Sequence, residues 1–371
     1  MIEEIRAAAR RRFEELGYPS TKNEDWRFTN VAPITRTKFE TAPPIIRSSV
    51  PLTTDPKLLE QHLSRYANFQ DNPFTALNTA NFEDCLLIQI PEGAIIEDPI
   101  RITIQPSSNG HPVVTYPRIL ILAGPNSQAT IIEEYPSPIT HHSSPCLTNP
   151  VTELVAGDNS VIDHYKLQTE SGNAFHVSTT AVQLGRDTNF RSHSITLGGA
   201  LVRNDVNAVL SQGAECTLNG LYLTAGQQHV DNHTSIDHAQ PHAASHELYK
   251  GILDGHSSAV FNGKILVRQD AQKTDAKQTN KNLVLSEDAV INTKPELQIH
   301  ADDVRCTHGA TIGQLDAEAL FYLQSRGISR VDARNLLILA FARDIVDRVK
   351  VPALRDQLEN LLLEKLHGSR R

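Results

Sequence analysis

The sequence predicts a mainly β fold in which a β-solenoid is flanked by two helical regions. Short apolar runs of β type dominate the middle of the chain, a turn pattern recurs there roughly every 30 residues, and helical periodicity is clearest near the two ends. The predicted boundaries are a helical region with a linker over residues 1–84, a β-helix core over 85–315 and a helical region over 316–371.

The N-terminal region is predicted to begin with a helix over residues 2–16, which Gly17 can end. The apolar face of this helix consists of Ile2, Ile5, Ala9, Phe13 and Leu16. Residues 41–56 contain four prolines and are predicted to form an irregular linker. A short helical segment is expected near 57–69.

The middle of the chain contains short β-type runs, and no helix-length apolar pattern separates them. Representative runs lie at 86–90, 100–104, 118–122, 175–184 and 259–267. An alternating βαβ architecture is therefore not expected, because it requires helices between successive strands.

A turn pattern repeats within this β region: glycine, any residue, a polar residue and then a small residue. It begins at Gly124, Gly157, Gly185, Gly213 and Gly255, and it continues at Ser286 with serine in place of glycine. Successive starts lie 33, 28, 28, 42 and 31 residues apart. Glycine allows the positive φ of a tight turn, and the small residue is expected where neighbouring coils stack closely.

Self-similarity at this period predicts a solenoid, in which each unit buries its apolar face against the next unit. Because the units contain strands and no helices, the favoured solenoid is a β-helix. A β-sandwich is the alternative, since short strands separated by turn signals also fit that fold.

The C-terminal region is predicted to be helical. Asp316 can cap a helix over 317–325, which Gly327 ends. Ser329 can cap a longer helix to about residue 349, and Pro352 suits the first turn of a last helix through 366. Because solenoid ends need covering, the terminal helices are candidates for end caps.

Composition excludes several classes of function. The formal net charge is −8, which argues against nucleic acid as the main partner because phosphate binding requires a basic excess. No stretch approaches the roughly 18 apolar residues of a membrane span. The N-terminus lacks the pattern of a secretory signal, so the expected location is the cytoplasm, or the plastid stroma if the chain is a mature form.

The cysteine spacing argues against a zinc-finger or ferredoxin-type site made by this chain alone. Cys85, Cys146, Cys216 and Cys306 are widely spaced, and none belongs to a CxxC pair. With no export signal, free thiols are expected in place of disulfides.

Three segments carry a family resemblance. Residues 301–328 contain Cys306-x-His308-Gly309, then Ala-Thr-x-Gly, and then the run Phe-Tyr-Leu-Gln-Ser-Arg-Gly-Ile at 321–328. A second block spans 229–253, and a third is Asn-Glu-Asp-Trp-Arg-Phe-Thr at 23–29. Together these motifs resemble the SufB/SufD family of iron–sulfur cluster assembly scaffolds, and more closely its SufD branch.

The resemblance implies a right-handed parallel β-helix flanked by helices, which agrees with the repeat. It also implies a complex with a SufB-type paralogue and a SufC-type ABC ATPase, in which a nascent iron–sulfur cluster forms near the SufB–SufD interface. The chain itself is then a non-catalytic subunit. Reduced FAD in the complex, sulfur delivered indirectly from a cysteine desulfurase system, and a homodimer of the isolated chain are further expectations.

Cys306 and His308 are the candidate cluster-assembly residues, and the resemblance assigns His308 as a transient iron ligand. Thiolate and imidazole both bind iron, and residues two apart on a strand point to the same face. Two residues cannot complete the ligation of a cluster, so the other ligands must come from sulfide, a partner chain or a small thiol. The alternative is that Cys306 packs inside the solenoid and His308 is a surface or capping residue.

A histidine-rich segment offers a second candidate site. Its candidate residues are His229, Asp231, His233 and His238. If their side chains converge, they can bind a metal ion; if they do not, the segment is expected to form an interface. Residues four apart on a strand are separated by about 13 Å, too far for one ion, which favours the interface. The pair His141-His142 is expected on the solvated surface.

By the same resemblance, the C-terminal helices dock the ATPase. The candidate interface residues are Arg326, Gly327, Ile328, Arg330, Asp332 and Arg334. A purely intramolecular cap is the alternative. Both uses are compatible if one helix face points inward and another outward.

Other catalytic patterns are missing from the sequence. It contains no GxxxxGK[ST] motif, so ATP hydrolysis is assigned to a partner. The rival function is a β-helical carbohydrate-active enzyme of the pectin-lyase type. Such an enzyme is usually exported and presents acids and arginines along one groove.

Overall fold

A computed structural model describes residues 2–51, 55–107, 110–137 and 144–368. It confirms the predicted fold class, a mainly β chain with a parallel β-helix and helices at both ends. The predicted surface pair His141-His142 lies outside the described residues.

Helices occupy the two ends of the described chain. They are α1 (Ile2–Leu16), a 3₁₀ turn (Glu24–Trp26), α2 (Ala32–Arg36), α3 (Pro56–His62), α4 (Pro73–Asn81), α5 (Ala317–Ser325), α6 (Arg330–Val346) and α7 (Pro352–Gly368).

The strands before the regular solenoid are short. They are β1 (Glu40–Thr41), β2 (Pro44–Ser48), β3 (Cys85–Ile90), β4 (Ile100–Pro106), β5 (Val113–Thr115), β6 (Arg118–Ala123), β7 (Gln128–Pro136), β8 (Cys146–Thr148) and β9 (Val151–Ala156). The strands that follow have eight to ten residues. They are β10 (Val161–Thr169), β11 (Phe175–Leu184), β12 (Asn189–Thr196), β13 (Leu201–Leu210), β14 (Glu215–Thr224), β15 (His229–His238), β16 (Ala244–Leu253), β17 (Ser258–Val267), β18 (Asp275–Val284), β19 (Val290–Ile299) and β20 (Arg305–Gly313).

These strands form two sheets that face each other across the lumen of the solenoid. The first sheet contains the series β11-β13-β15-β17-β19, and the second contains β10-β12-β14-β16-β18-β20. Each coil therefore adds one strand to each sheet, and pairing between successive coils is parallel and in register. The antiparallel pair β2–β4 stands at the opposite end of the second sheet from β20. In-register stacking aligns lumen-facing side chains into columns that run from coil to coil.

The structure corrects the role of the repeated glycines. At the first three turns the positive φ belongs to the third residue, Asn126, Asn159 or Asp187, and not to the glycine. At Gly124 a Cβ atom would lie 2.6 Å from the backbone nitrogen of Glu92, so this position needs glycine because two coils approach closely. The predicted small residues Ser127, Ser160 and Thr188 are buried at these turns, as expected.

The 42-residue spacing marks a change from one edge of the solenoid to the other. The turns up to Gly213 precede strands of the second sheet, whereas those at Gly255 and Ser286 precede strands of the first.

The four-residue turn pattern that the sequence analysis began at Gly213 in fact begins two residues earlier. Gly213 itself has the positive φ, so the small residue at this turn is Ala214 and not Cys216.

Two N-terminal predictions need correction. The segment 41–56 is not wholly irregular, because β2 pairs with β4 along it. The helix α4 was missed, although Asn72 Oδ1 caps it by accepting from the backbone nitrogens of Phe74 and Thr75 at 3.0 and 3.1 Å. Its short and moderately polar sequence is buried from Pro73 to Ala80, so packing stabilises it more than amphipathic periodicity does.

The terminal helices cover the flanks of the solenoid, and the prediction that they cap its ends was wrong. In α6, Ile338 and Ile345 pack with outward-facing residues of the second sheet such as Tyr165 and Leu167. Trp26 and the N-terminal helices pack in the same way on the outer face of the first sheet. The helices thus bury apolar residues on the outer face of each sheet, and this burial stabilises the fold.

The coil made by β19 and β20 ends the solenoid. These strands are the last in their sheets, and no described residue adds a further coil beyond them. Lumen-facing residues of this coil are consequently exposed, including Ile312 and Ile299. The open coil end is therefore defined by β19 and β20.

Large and small residues alternate along the lumen columns. Gly251 pairs with Tyr222 on the neighbouring coil, and a Cβ atom on Gly251 would lie 2.3 Å from the Tyr222 ring. We therefore expect Gly251→Ala to lower the free energy of unfolding by about 1–3 kcal/mol, as overpacking of a core does. Denaturant unfolding followed by circular dichroism measures this change.

The matched control is Gly172→Ala, because no atom lies within 4 Å of the added Cβ and the glycine has an ordinary φ. Its stability should stay within about 0.5 kcal/mol of the wild type. Equal unfolding midpoints for the two variants would contradict the packing of Tyr222 over Gly251.

Candidate functional site

The candidate site lies on the open coil end. Strand β20 pairs with β18 in a register that places Cys306 beside Ala276 and His308 beside Gln278. Ala276 and Gln278 are buried in the lumen, while Lys277 between them is exposed. Cys306 and His308 therefore share the lumen-facing side of β20, as the spacing predicted, about 7 Å apart along the strand.

Cys306 is half-buried, and it packs with Leu297 and Val304 beside Ala276. Burial raises the pKa of its thiol, and the Asp275 carboxylate raises it further, although a backbone hydrogen bond from Ala276 opposes the rise. This environment favours the thiol over the thiolate, the form that binds metals. The assignment of Cys306 as a cluster ligand stays a prediction.

His308 differs from Cys306 because it is exposed. It lies over the lumen on the last strand of its sheet, where a further coil would otherwise cover it. An imidazole in this position can reach a group bound at the coil end. Its assignment as a transient iron ligand also stays a prediction.

Beneath His308 lies a buried polar column that the sequence analysis missed. Glu247 pairs with Gln278, and Gln278 pairs with His308, so the three side chains follow one another on successive coils. Gln278 Nε2 donates to Glu247 Oε2 at 2.7 Å. Burial raises the pKa of Glu247 to about 7, although the Gln278 hydrogen bond opposes the rise. Only the register between distant segments aligns these residues.

A second polar cluster, also missed, fills the lumen of earlier coils. His164 Nε2 lies 3.1 Å from Glu133 Oε1, and His176 Nδ1 lies 2.8 Å from Glu170 Oε2. Burial lowers the pKa of Lys166 in this cluster to about 8, while the neighbouring carboxylates of Glu133 and Glu170 oppose the change. These side chains hydrogen-bond to one another, although His176 Nε2 is buried without a partner among the described residues, and they lie several coils from the open end.

The histidine-rich segment does not converge on one point. His229, Asp231 and His233 lie on the outer face of β15, whereas His238 faces the lumen and its Nε2 lies 2.9 Å from Ser245 Oγ. The described residues contain no group of three or more histidine, cysteine, aspartate or glutamate side chains that is able to hold a metal ion.

An intramolecular charge cluster holds the outer three residues. Asp231 accepts from Arg203 Nη1 at 2.8 Å and from Thr29 Oγ1 at 2.5 Å, and its other oxygen lies 3.0 Å from His233 Nε2. The Arg203 guanidinium lies 3.8 Å from the Trp26 ring and donates to the Asp25 carbonyl. The sequence blocks at 23–29 and 229–253 therefore bind each other.

The C-terminal helices present an apolar outer surface. No residue of α5 is buried, and the Phe321 and Tyr322 side chains are 73% and 56% exposed. Leu336 on α6 is also exposed, although the opposite face of α6 packs on the solenoid. We call these three exposed residues the helix patch.

The predicted docking residues fall into two groups. Arg326, Gly327, Arg330 and Asp332 are exposed, and Ile328 is half-buried. Arg334 is different, because its Nη2 donates to Asp254 Oδ2 at 2.7 Å and so anchors α6 to the solenoid. Asp332 accepts from Ser329 Oγ at 2.7 Å and supports the start of α6.

The fold and site define a class of protein: a parallel β-helix with covered flanks, an open coil end and no metal centre among its described residues. Comparison with protein families makes the assignment specific. Residues 104–341 match the model described as "SUF system FeS cluster assembly, SufBD core domain", and residues 45–102 match the "SufBD protein N-terminal region". The chain belongs to the SufBD family.

Individual relatives agree with this assignment. The chain is 41% identical over 293 residues to an iron–sulfur cluster assembly SufBD family protein of Synechocystis, covering 77% of this chain and 64% of the relative. It is 34% identical over 246 residues to the iron–sulfur cluster assembly protein SufD of Escherichia coli, covering 66% and 57%. A chloroplastic protein of Arabidopsis thaliana, ABCI7, is 33% identical over 315 residues, covering 82% and 66%.

The matched part of the chain spans 57–66% of the length of these relatives. The family match supports the assembly class over the carbohydrate enzyme weighed from the sequence. Among the described residues, no helix has the length and apolarity needed to cross a membrane.

The charge cluster predicts a large effect of removing one charge. We expect Asp231→Asn to lower the free energy of unfolding by about 1–3 kcal/mol, because Arg203 would lose a buried charged partner while it keeps Asp205 at 3.0 Å. His233 and Arg203 hold the pKa of Asp231 well below its usual range, although burial opposes them. The stabilisation is therefore present at neutral pH and is lost as pH falls below about 4.

Asp237→Asn on the same strand is the matched control, because its ion pair with Arg268 is at the surface. It should change stability by no more than about 1 kcal/mol. Denaturant unfolding at pH 7 and at about pH 2.5, inside the range in which the stabilisation is lost, measures both variants. A loss for Asp231→Asn no greater than for Asp237→Asn would contradict the docking role of the cluster.

Proposed function

We propose that this chain is a non-catalytic scaffold subunit for iron–sulfur cluster assembly, and that it lends His308 to a cluster built at the open coil end. The observation that carries this proposal is the exposure of His308 on the uncovered last strand of the solenoid. Membership of the SufBD family and similarity to proteins named for iron–sulfur cluster assembly support it.

The chemistry of the coil end suits temporary binding. One imidazole and one half-buried thiol leave most of the ligation of a cluster to other groups. Imidazole is also a harder ligand than thiolate, so it holds the iron of a sulfide-rich cluster less tightly than a cysteine does. An incomplete site of this kind can release the cluster that forms on it.

The partner at the coil end is proposed to be a SufB-type paralogue. Strands β19 and β20 end their sheets, so each presents backbone groups along one edge. Such edges pair readily with strands of another chain. A partner with the same β-helical architecture offers matching strands, and it brings additional ligands to the space above His308.

The helix patch is proposed to dock a SufC-type ABC ATPase. Exposed aromatic side chains are typical anchors of protein interfaces. Arg326 Nη2 donates to the Tyr322 hydroxyl at 3.4 Å, and Gly327 and Arg330 are exposed in the adjoining segment; these three residues are proposed to form the polar rim. Because α6 also packs on the second sheet, movement of a bound ATPase can reach the solenoid.

Further parts of the function remain predictions. These are reduced FAD in the complex, sulfur supplied indirectly by a cysteine desulfurase, a homodimer of the isolated chain, and a location in the cytoplasm or the plastid stroma. Bacterial relatives and one relative named as chloroplastic support the two locations.

His308→Ala tests the proposed site. In a complex with a SufB-type paralogue and a SufC-type ATPase, cluster loading should fall by about tenfold or more, because a proposed iron ligand is lost. Iron and acid-labile sulfide content after anaerobic reconstitution measure the loading. Full loading by the variant would remove His308 from the site.

His246→Ala is the matched control, since His246 is exposed on the outer face of β16, away from the lumen. It should load clusters as the wild type does.

Gentle anaerobic purification of the tagged chain provides a separate test of the partners. Recovery of the chain with neither a SufB-like protein nor an ABC ATPase would contradict the scaffold proposal.

Phe321→Asp tests the helix patch. A carboxylate in place of an exposed aromatic anchor should weaken binding of the ATPase by about tenfold or more. Ile95→Asp is the control, because Ile95 is 67% exposed but belongs to an early coil. Calorimetry or biosensor titration with the ATPase measures both. Unchanged affinity for Phe321→Asp would place the docking surface elsewhere.

A further inference from the structure

Gln278 lies between the candidate iron ligand and a buried acid. It pairs with His308 on one neighbouring strand and with Glu247 on the other, so all three side chains occupy one lumen column. Adjacent strands are about 4.8 Å apart. An imidazole and an amide on neighbouring strands can therefore meet by side-chain rotation alone.

Glu247, on the preceding coil of the second sheet, sets the orientation of the Gln278 amide. Its Nε2 donates to Glu247 Oε2 at 2.7 Å, and an ionised carboxylate accepts only from the nitrogen side of an amide, so this orientation is the one expected above the Glu247 pKa of about 7. The Gln278 oxygen, Oε1, is buried and has no hydrogen-bond partner. A buried acceptor without a partner is costly, so this oxygen favours a donor from the adjoining coil.

The opposite sheet makes room for this side chain. Gly263 on β17 lies so close to Gln278 that a Cβ atom on residue 263 would be 2.1 Å from Gln278 Nε2. A larger residue at 263 would have to displace the amide. Glycine at this position and the hydrogen bond to Glu247 together hold Gln278 in a single place.

We propose that Gln278 is a positioning residue for His308: its Oε1 accepts a hydrogen bond from the lumen-facing ring N–H of His308 and leaves the other ring nitrogen unprotonated and directed outward to bind iron. Histidine ligands in metal sites commonly donate their second ring N–H to such an acceptor, which selects the tautomer and orients the ring. The inference rests on the proposed function of His308, but the hydrogen bond itself is a property of this chain alone.

The first test measures the tautomer of His308 in the isolated chain. Ring-nitrogen chemical shifts of ¹⁵N-histidine-labelled protein identify the tautomer, and the His308→Ala spectrum assigns the signals. The wild type should show one dominant neutral tautomer. Gln278→Leu removes the acceptor, so the tautomer ratio of His308 should move to the ratio of a solvated histidine in a short model peptide. An identical tautomer ratio in Gln278→Leu and the wild type would overturn the proposal.

Gln298→Leu is the matched control. Gln298 also donates to a glutamate at 2.7 Å, here Glu296, but it lies on the outer face of β19 and not in the column under His308. This variant should keep the wild-type tautomer. If it shifted the ratio as Gln278→Leu does, the shift would report general loosening of the coil end, and the assignment to Gln278 would fail.

Gly263→Ala offers a second approach that leaves both Gln278 and His308 in the sequence. The added methyl group should displace the amide and shift the tautomer ratio in the same direction as Gln278→Leu. Circular dichroism and the other histidine signals show whether each variant is folded. A folded Gly263→Ala protein with the wild-type ratio would argue that the position of the amide does not control the imidazole.

Cluster loading separates this inference from the function on which it rests. In the reconstituted complex, Gln278→Leu should lower iron occupancy by about 10–100-fold, the effect typical of losing an outer hydrogen-bond partner of a metal ligand. If His308→Ala abolishes loading but Gln278→Leu leaves it unchanged, His308 is a ligand that Gln278 does not position. If neither variant changes loading, the proposed function of His308 fails first.

Discussion

The in-register stacking of successive coils is the constraint on which the rest of this structure depends. Because each coil lies about 4.8 Å from the next, a lumen side chain has to fit the residues directly above and below it. The Tyr222 ring occupies the space that Gly251 leaves, and Gln278 occupies the space beside Gly263. The same register carries hydrogen bonds along the column, as between Gln278 and Glu247. Each lumen residue is therefore selected by neighbours about 30 positions away in the sequence.

A solenoid stabilised in this way has to end, and its end differs chemically from its middle. In the middle, a polar lumen residue such as His164 finds partners on both neighbouring coils. On the last coil, His308 has a neighbour on one side only, and that neighbour, Gln278, brings an oxygen without a partner. His308 is therefore open to solvent on the side where an earlier lumen residue would meet the next coil, and this is the side on which the proposed partner and cluster would supply contacts.

Local signals in the sequence predicted much of the fold. The caps at Asp316 and Ser329 set the starts of α5 and α6, because a cap depends only on residues within one turn. The repeat predicted the coils and placed Cys306 and His308 on one strand face. The column beneath His308 was missed, because it depends on which residues of β16, β18 and β20 share a register. The contact of Arg203 with Trp26 was missed for the same reason, since about 180 residues separate them.

The helices of this chain cover the flanks of the solenoid and leave its last coil uncovered. The outer face of each sheet carries a group of apolar residues, and the chain covers both groups with its own helices. A helix laid across β19 and β20 would instead bury His308 and leave part of a flank exposed. Burying the apolar flank residues removes them from water, whereas Ile299 and Ile312 at the coil end stay exposed beside His308. The fold therefore gives its intramolecular contacts to the flanks, and the apolar and polar groups of the coil end remain accessible to the proposed partner.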